Sequence, residues 1–207
     1  MNRLPGYVLL AVAGAALGVI GLLWMYGSPR HTDVGYRPKQ PLPYSHKLHA
    51  GDLGIDCRYC HTAVEVSAHA TIPPTQTCMN CHKLILTSSQ KLLPVRESWA
   101  TGTPIAWVRV HKTPDYCYFN HSAHLRAGVG CSTCHGNVAQ MDVVRQVQPL
   151  SMSWCLDCHR NPEPYLRAAG DVTSMTWRAP ANQMELAGRW RKEKNINPPV
   201  DCSGCHR

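Results

Sequence analysis

Five copies of one pentapeptide constrain this chain more than anything else in it: CRYCH (57–61), CMNCH (78–82), CSTCH (131–135), CLDCH (155–159) and CSGCH (202–206). Each sets two thiols three positions apart with an imidazole directly behind them. This is the pattern of covalent c-type haem attachment, in which two cysteines bond the porphyrin vinyl groups and the adjoining histidine meets the iron. The expectation is five c-type haems. They would be tethered through Cys57, Cys60, Cys78, Cys81, Cys131, Cys134, Cys155, Cys158, Cys202 and Cys205, with His61, His82, His135, His159 and His206 as proximal ligands. Composition points the same way: 11 Cys, 12 His and a single Phe in 207 residues leave few large side chains for an ordinary core. Haem is expected to be that core, and the domain is not expected to fold without it.

Zinc competes for the same cysteines. Cys57/Cys60 with Cys78/Cys81, and Cys131/Cys134 with Cys155/Cys158, fall within the spacing of a zinc ribbon. A ribbon requires no histidine after each pair, however, and five by accident have odds on the order of one in a million. Cys202/Cys205 would also lack a second pair. A zinc-stabilised interaction module is therefore the alternative from another class. Thioredoxin-type disulfides would call for a βαβ setting that the pattern does not offer.

The motifs are spaced short, long, short, long, which marks an internal repeat. One module spans 46–82 and a second spans 121–159, each introduced by aromatic–polar–His–x–x–His (YSHKLH and FNHSAH); their alignment needs a one-residue slip before the first cysteine. A C-terminal haem unit, 160–207, has no such histidine pair. Two imidazoles three apart on a helical turn project from one side and can reach two irons, so His46, His49, His121 and His124 are the expected distal ligands. The motif resembles small multihaem cytochromes, where the first histidine serves the haem just downstream and the second serves another. That resemblance implies His46 for the haem of His61 and His121 for that of His135. The fifth distal ligand stays open among His111, His69, Met141 and Met152; a methionine there would raise that haem's potential. The plainer roles are hydrogen bonding near propionates for His69 and His111, and packing for Met152. His31 reads as a surface residue and Cys117 as an unpaired, inert thiol.

From Tyr7 to Gly27 the chain runs YVLLAVAGAALGVIGLLWMYG, long enough to cross a hydrocarbon core of about 30 Å as a helix and without a charge. The expected organisation is a transmembrane anchor at 1–28, a linker at 29–45 and a pentahaem domain at 46–207. No A-x-A-like cut site follows, so the segment reads as a retained anchor. Ala11, Gly14, Gly18 and Gly21 form a stripe of small residues on which another membrane helix could pack. Cytochromes of c type mature outside the cytoplasmic membrane, which puts the domain after residue 28 in the periplasm and the N-terminus in the cytoplasm. The expected fold is mainly α with much irregular loop, in class III/c7-like modules. One amphipathic helix is expected at 182–194, with Leu186 and Trp190 on a shared face.

A formal charge of +8, from 21 basic and 13 acidic residues, would on a bare chain suggest nucleic acid or an anionic surface. Haem propionates reverse that sum, so many of these cations read as propionate partners and no nucleic acid is expected. There is no Ser-His-Asp set, phosphate loop or carboxylate pair. Histidines in excess of the coordination positions favour closed, six-coordinate irons, and hence electron transfer without a substrate site of its own.

Together with the anchor, the strings HKLHAGDLGIDCRYCHTAVEVSAHATIPPTQTCMNCH, PDYCYFNHSAHLRAGVGCSTCHG and PLSMSWCLDCHRNP resemble the pentahaem, membrane-anchored cytochrome subunit of bacterial alternative complex III. The resemblance covers essentially the whole chain. It implies a subunit that relays electrons from quinol oxidation to a soluble periplasmic acceptor. Its expected partners are an iron–sulfur subunit, polytopic quinol-binding subunits, a monohaem cytochrome and the lipid bilayer. A free-standing quinol dehydrogenase of the NapC/NirT type is the nearer alternative, although some thirty residues here separate Gly27 from the first motif. The resemblance does not account for Cys117.

Overall fold

The structure is a computed structural model and describes residues 3–206. Met1 and Asn2, at the start of the expected anchor, and Arg207, at the end of the expected haem domain, lie outside the described residues. Helix α1 (Leu4–Gly27) carries Pro5 in its first turn, where a missing N–H costs nothing, and is exposed along its whole length. At 1.5 Å per residue its 24 residues reach about 36 Å, so it is long and apolar enough to cross a membrane. It stops at Ser28, whose hydroxyl accepts from Arg30 N–H and starts the short helix α2 (Pro29–Thr32).

The rest is short helix and loop. A π-helical turn at Lys47–Asp52 precedes α3 (Cys57–Cys60), α4 (Thr75–His82) and α5 (Leu93–Thr101). Helices α6 (His121–Ala127), α7 (Cys131–His135), α8 (Met152–Arg160) and α9 (Gln183–Glu193) follow. Glycines in the left-handed region end two of them, Gly102 after α5 and Gly128 after α6. Among the described residues there is no strand, only the isolated bridges Cys117–His206 and Val129–Leu166.

The two repeated segments pack reciprocally. Lys47 N–H donates to the Met141 carbonyl (3.0 Å), and Ser122 N–H, at the equivalent position, donates to the Ser67 carbonyl (3.1 Å). Each histidine-bearing turn therefore rests on the loop that follows the other module's first motif. The approach is close: a Cβ on Gly51 would lie 2.3 Å from the Ala139 carbonyl oxygen.

Side chains alone make a thin core. Among the described residues the buried apolar ones are Leu42, Val64, Val95, Met141, Leu166, Val172 and Ala187, few for their number, and they are scattered along the chain. Helix α9 forms as expected, with Leu186 and Trp190 half-buried, but the residues it buries are Gln183 and Ala187. The Gln183 amide donates to the carbonyls of Glu163 (2.8 Å) and Leu166 (2.7 Å), closing backbone acceptors that no regular element satisfies. A second helix-to-loop tie is the Arg191–Glu163 ion pair.

Candidate haem-binding centres

All five Cys-x-x-Cys-His segments begin on a helical turn, and three are started by a side-chain cap. Asp56 accepts from Arg58 N–H (2.8 Å) at α3, Ser151 from Trp154 N–H (3.4 Å) at α8, and Asp201 from Gly204 N–H (3.0 Å) at the last motif. Pro74 and Gly130 stand in the corresponding places before the second and third motifs and give no side-chain cap. None of the eleven cysteines is in a disulfide. Among the described residues no three His, Cys, Asp or Glu side chains converge as a structural zinc cage requires.

The thiols of successive motifs are neighbours. The Cys57 and Cys131 thiols lie near enough to act on each other, which pulls Cys57 down to about 7 and pushes Cys131 up. Cys60 is pushed up by burial and then by Cys78. Burial, followed by Cys158 and Cys155, pushes Cys134 up to about 12; burial, followed by Cys117 and Cys205, pushes Cys155 up to about 11. Proximity thus runs from the second motif to the first, third, fourth and fifth.

The imidazoles are prepared for metal. Four motif histidines donate Nδ1–H to a carbonyl: His61 to Thr71 (2.7 Å), His82 to Ile85 (3.1 Å), His159 to Pro199 (2.7 Å) and His206 to Tyr116 (3.1 Å). Three of the paired histidines do the same, His49 to Ser45 (2.8 Å), His121 to Ala68 (2.8 Å) and His124 to Asn120 (2.7 Å). A carbonyl can only accept, so each bond fixes the proton on Nδ1 and leaves the Nε2 lone pair free. Burial first, then neighbouring imidazoles, hold His46 down to about 4 and His135 down to about 3; burial also lowers His121 and His124. These rings are neutral near pH 7, the form that ligates a metal.

Their spacing is informative. A metal–imidazole bond is about 2.0 Å, so two rings facing each other across one iron have centroids about 6 Å apart. His49 and His82 lie 6.3 Å apart, His124 and His159 6.0 Å, and His121 and His135 6.5 Å. Aromatic neighbours hold the paired histidines in place: Tyr44 stacks on His49 at 4.5 Å and meets His46 edge-on, and Phe119 does the same for His124 (4.4 Å) and His121. His46 lies in the field of His61, and its Nδ1 is buried without a hydrogen-bond partner.

The four remaining candidates fall apart from one another. His69 is exposed, Met152 is 68% exposed, and Met141 is buried, its methyl 3.4 Å from where a Cβ on Gly136 would stand. His111 sits 4.4 Å from the His135 ring, edge-on. Cys117 pairs its backbone with His206, and its thiol is pushed up by burial and by Cys205. Composition gave no sign of Arg167, which is 4% exposed: its guanidinium lies 4.3 Å over Trp177 and donates to Ser132 Oγ (2.8 Å) inside the third motif. Gly130 makes room for it, since a Cβ there would lie 2.2 Å from Arg167 Cζ.

Beside the motifs Tyr59, Val66, Ile72 and Leu84 to Leu86 are exposed, apolar surface that a porphyrin would cover. The residues therefore fit c-type haem in their donors, tautomers, spacing and uncovered apolar rims.

Comparison with known proteins agrees. The family described as cytochrome c7 and related cytochrome c matches residues 117–207, and cytochrome c3 matches 48–136. The multiheme cytochrome c subunit of menaquinone reductase from Nitratidesulfovibrio vulgaris is 30% identical over 175 residues, covering 73% of this chain and 83% of that protein. This chain belongs to the multihaem c-type cytochromes. The two family matches overlap at residues 117–136, at the start of the second repeated segment, and so share the third motif; together they extend across the repeat.

Proposed function

We propose that this cytochrome is the electron-relay subunit of a quinone-linked membrane oxidoreductase of the alternative complex III type, carrying five c-type haems and no substrate site of its own. When bound, the haems each accept and release one electron, and the chain's part is to space them, close their coordination and exclude other ligands. The ligand pairs are His61/His46, His82/His49, His135/His121 and His159/His124, with His206 proximal in the fifth centre. Proximity of the attachment thiols gives the order second, first, third, fourth, fifth, with the outer two centres as the exchange points.

The observation that carries this reading is three imidazole pairs at 6.0–6.5 Å in which every ring but His135 has its Nδ1 proton tied to a carbonyl. Bis-histidine closure suits outer-sphere transfer and leaves no position for substrate. In this reading α1 anchors the chain with its N-terminus in the cytoplasm, 29–45 is the linker, and 46–207 is the periplasmic haem domain. Iron–sulfur, polytopic quinone-binding and monohaem cytochrome subunits are its partners, and a soluble periplasmic carrier takes the electrons. The N. vulgaris relative is named for menaquinone reduction. The haem potentials relative to the quinone decide the direction of flow here, and the proposal is flow from quinol to the periplasm.

Purification in mild detergent tests it. Intact mass should show five haem adducts, partner subunits should co-purify, and quinol should reduce the haems only when those partners are present. Quinol oxidation by the isolated chain would favour the free-standing dehydrogenase, and a haemochrome spectrum with no c-type band would end the cytochrome reading.

A further inference from the structure

We propose that His111 is the outer hydrogen-bond partner of His135, setting the potential of the third haem rather than ligating an iron. The proposal rests on His135 being the proximal ligand of that centre.

Four proximal histidines rest Nδ1–H on a backbone carbonyl; among the described residues none does so for His135. What stands beside it is the His111 ring, 4.4 Å away at 81°. That is too close to admit an iron between two imidazoles, which needs about 6 Å, yet within the roughly 5 Å spanned by two imidazoles joined through N–H···N. His121, at 6.5 Å and nearly parallel, already takes the iron-sized gap. His111 Nε2 is buried and has no hydrogen-bond partner, and an orphaned polar atom of that kind carries a cost until it is paired.

The segment bearing His111 is held in place. The Gln40 amide clamps Val108 on both backbone groups, donating to its carbonyl (2.8 Å) and accepting its N–H (2.9 Å), while Arg109 Nε donates to the His111 carbonyl (3.0 Å). A side chain 71 positions from Gln40 is thereby set at one ligand's edge. The rings form no hydrogen bond in this structure; the proposal is that they do in the haem-loaded protein.

An imidazole nitrogen is a stronger proton acceptor than a peptide carbonyl. It draws the Nδ1 proton further from His135, makes that ligand more electron-rich and favours ferric iron, so the third haem has a lower potential than a carbonyl partner would give it. In the proposed order this centre is the middle one, where its potential governs passage between the two repeated halves.

The test uses the full-length, haem-loaded chain and redox titration followed by low-temperature EPR. The third haem is assigned as the component missing from the Cys131→Ala/Cys134→Ala variant. In His111→Ala all five haems should stay attached by intact mass and low-spin, while the third is reduced about tenfold more readily, a shift of about 59 mV. His111→Gln, which restores a carbonyl acceptor, should shift it less; if His111→Ala fails to mature, an upward shift in His111→Gln decides the matter. A high-spin haem in either variant would make His111 a ligand and overturn the proposal, as would unchanged potentials in both. Absence of haem at Cys131/Cys134 in the unaltered chain would instead remove the reading on which it rests.

Discussion

The first and second repeated segments place matching side chains on different backbones. In the second, His121 and His124 sit on an ordinary α-helix, α6, capped by Asn120 and ended by Gly128. In the first, the residues after His46 form a π-helical turn, with Leu53 N–H bonded to the Leu48 carbonyl, five residues back. The first segment has one residue more between its histidine pair and its first cysteine, and a π turn is how a helix absorbs one extra residue. What surrounds the histidines is unchanged: the aromatic lies 4.5 or 4.4 Å from the second histidine, and that histidine lies 6.3 or 6.0 Å from its partner. The backbone has yielded so that the spacing of the rings need not.

The largest test of that equivalence removes a cofactor from each half. Cys57→Ala/Cys60→Ala and Cys131→Ala/Cys134→Ala should each lose one haem by intact mass. Because the buried apolar core is so thin, both should lower the unfolding temperature sharply and by similar amounts. A marked asymmetry would break the comparison. Next in size, His49→Ala and His124→Ala should each convert one low-spin haem to high-spin, seen by EPR, with every haem still attached.

Packing changes are smaller and should separate the halves. Gly51→Ala drives a methyl into the Ala139 carbonyl and should cost about 1–3 kcal/mol in thermal unfolding of the haem-loaded protein. Ser151→Ala, which removes the cap of α8, should cost about 1 kcal/mol in the same measurement. Smallest is an acid effect confined to the first segment. The Arg58 guanidinium, outweighing burial, holds Asp56 down to about 2 from 3.8. Its contribution is therefore complete above pH 3.8 and is lost as pH falls through about 2. With both partners about 40% exposed it is well screened. Amide exchange around 56–61 should rise in that window, while 130–135, where Gly130 replaces the acid, should not respond.

The five Cys-x-x-Cys-His turns could be read in the chain because everything that defines them lies within five residues, and each does begin on a helical turn. The one-residue slip was equally visible, although nothing local says whether a loop or a π turn takes it up. The partner rings were half legible: the first histidine of each pair has a motif histidine about 15 positions on, but the second lies against one more than 30 positions away, as His49 does against His82 and His124 against His159. Arg167 and Gln183 left no trace, since each acts through backbone and hydroxyl groups brought near only by the tertiary fold.

The reciprocal bonds of Lys47 and Ser122 bear on how the polypeptide is made. As the chain emerges N-terminus first, the Lys47 amide cannot find its acceptor until residue 141 has followed it. That tie between the halves is therefore made only after the first two motifs and the third have all been synthesised.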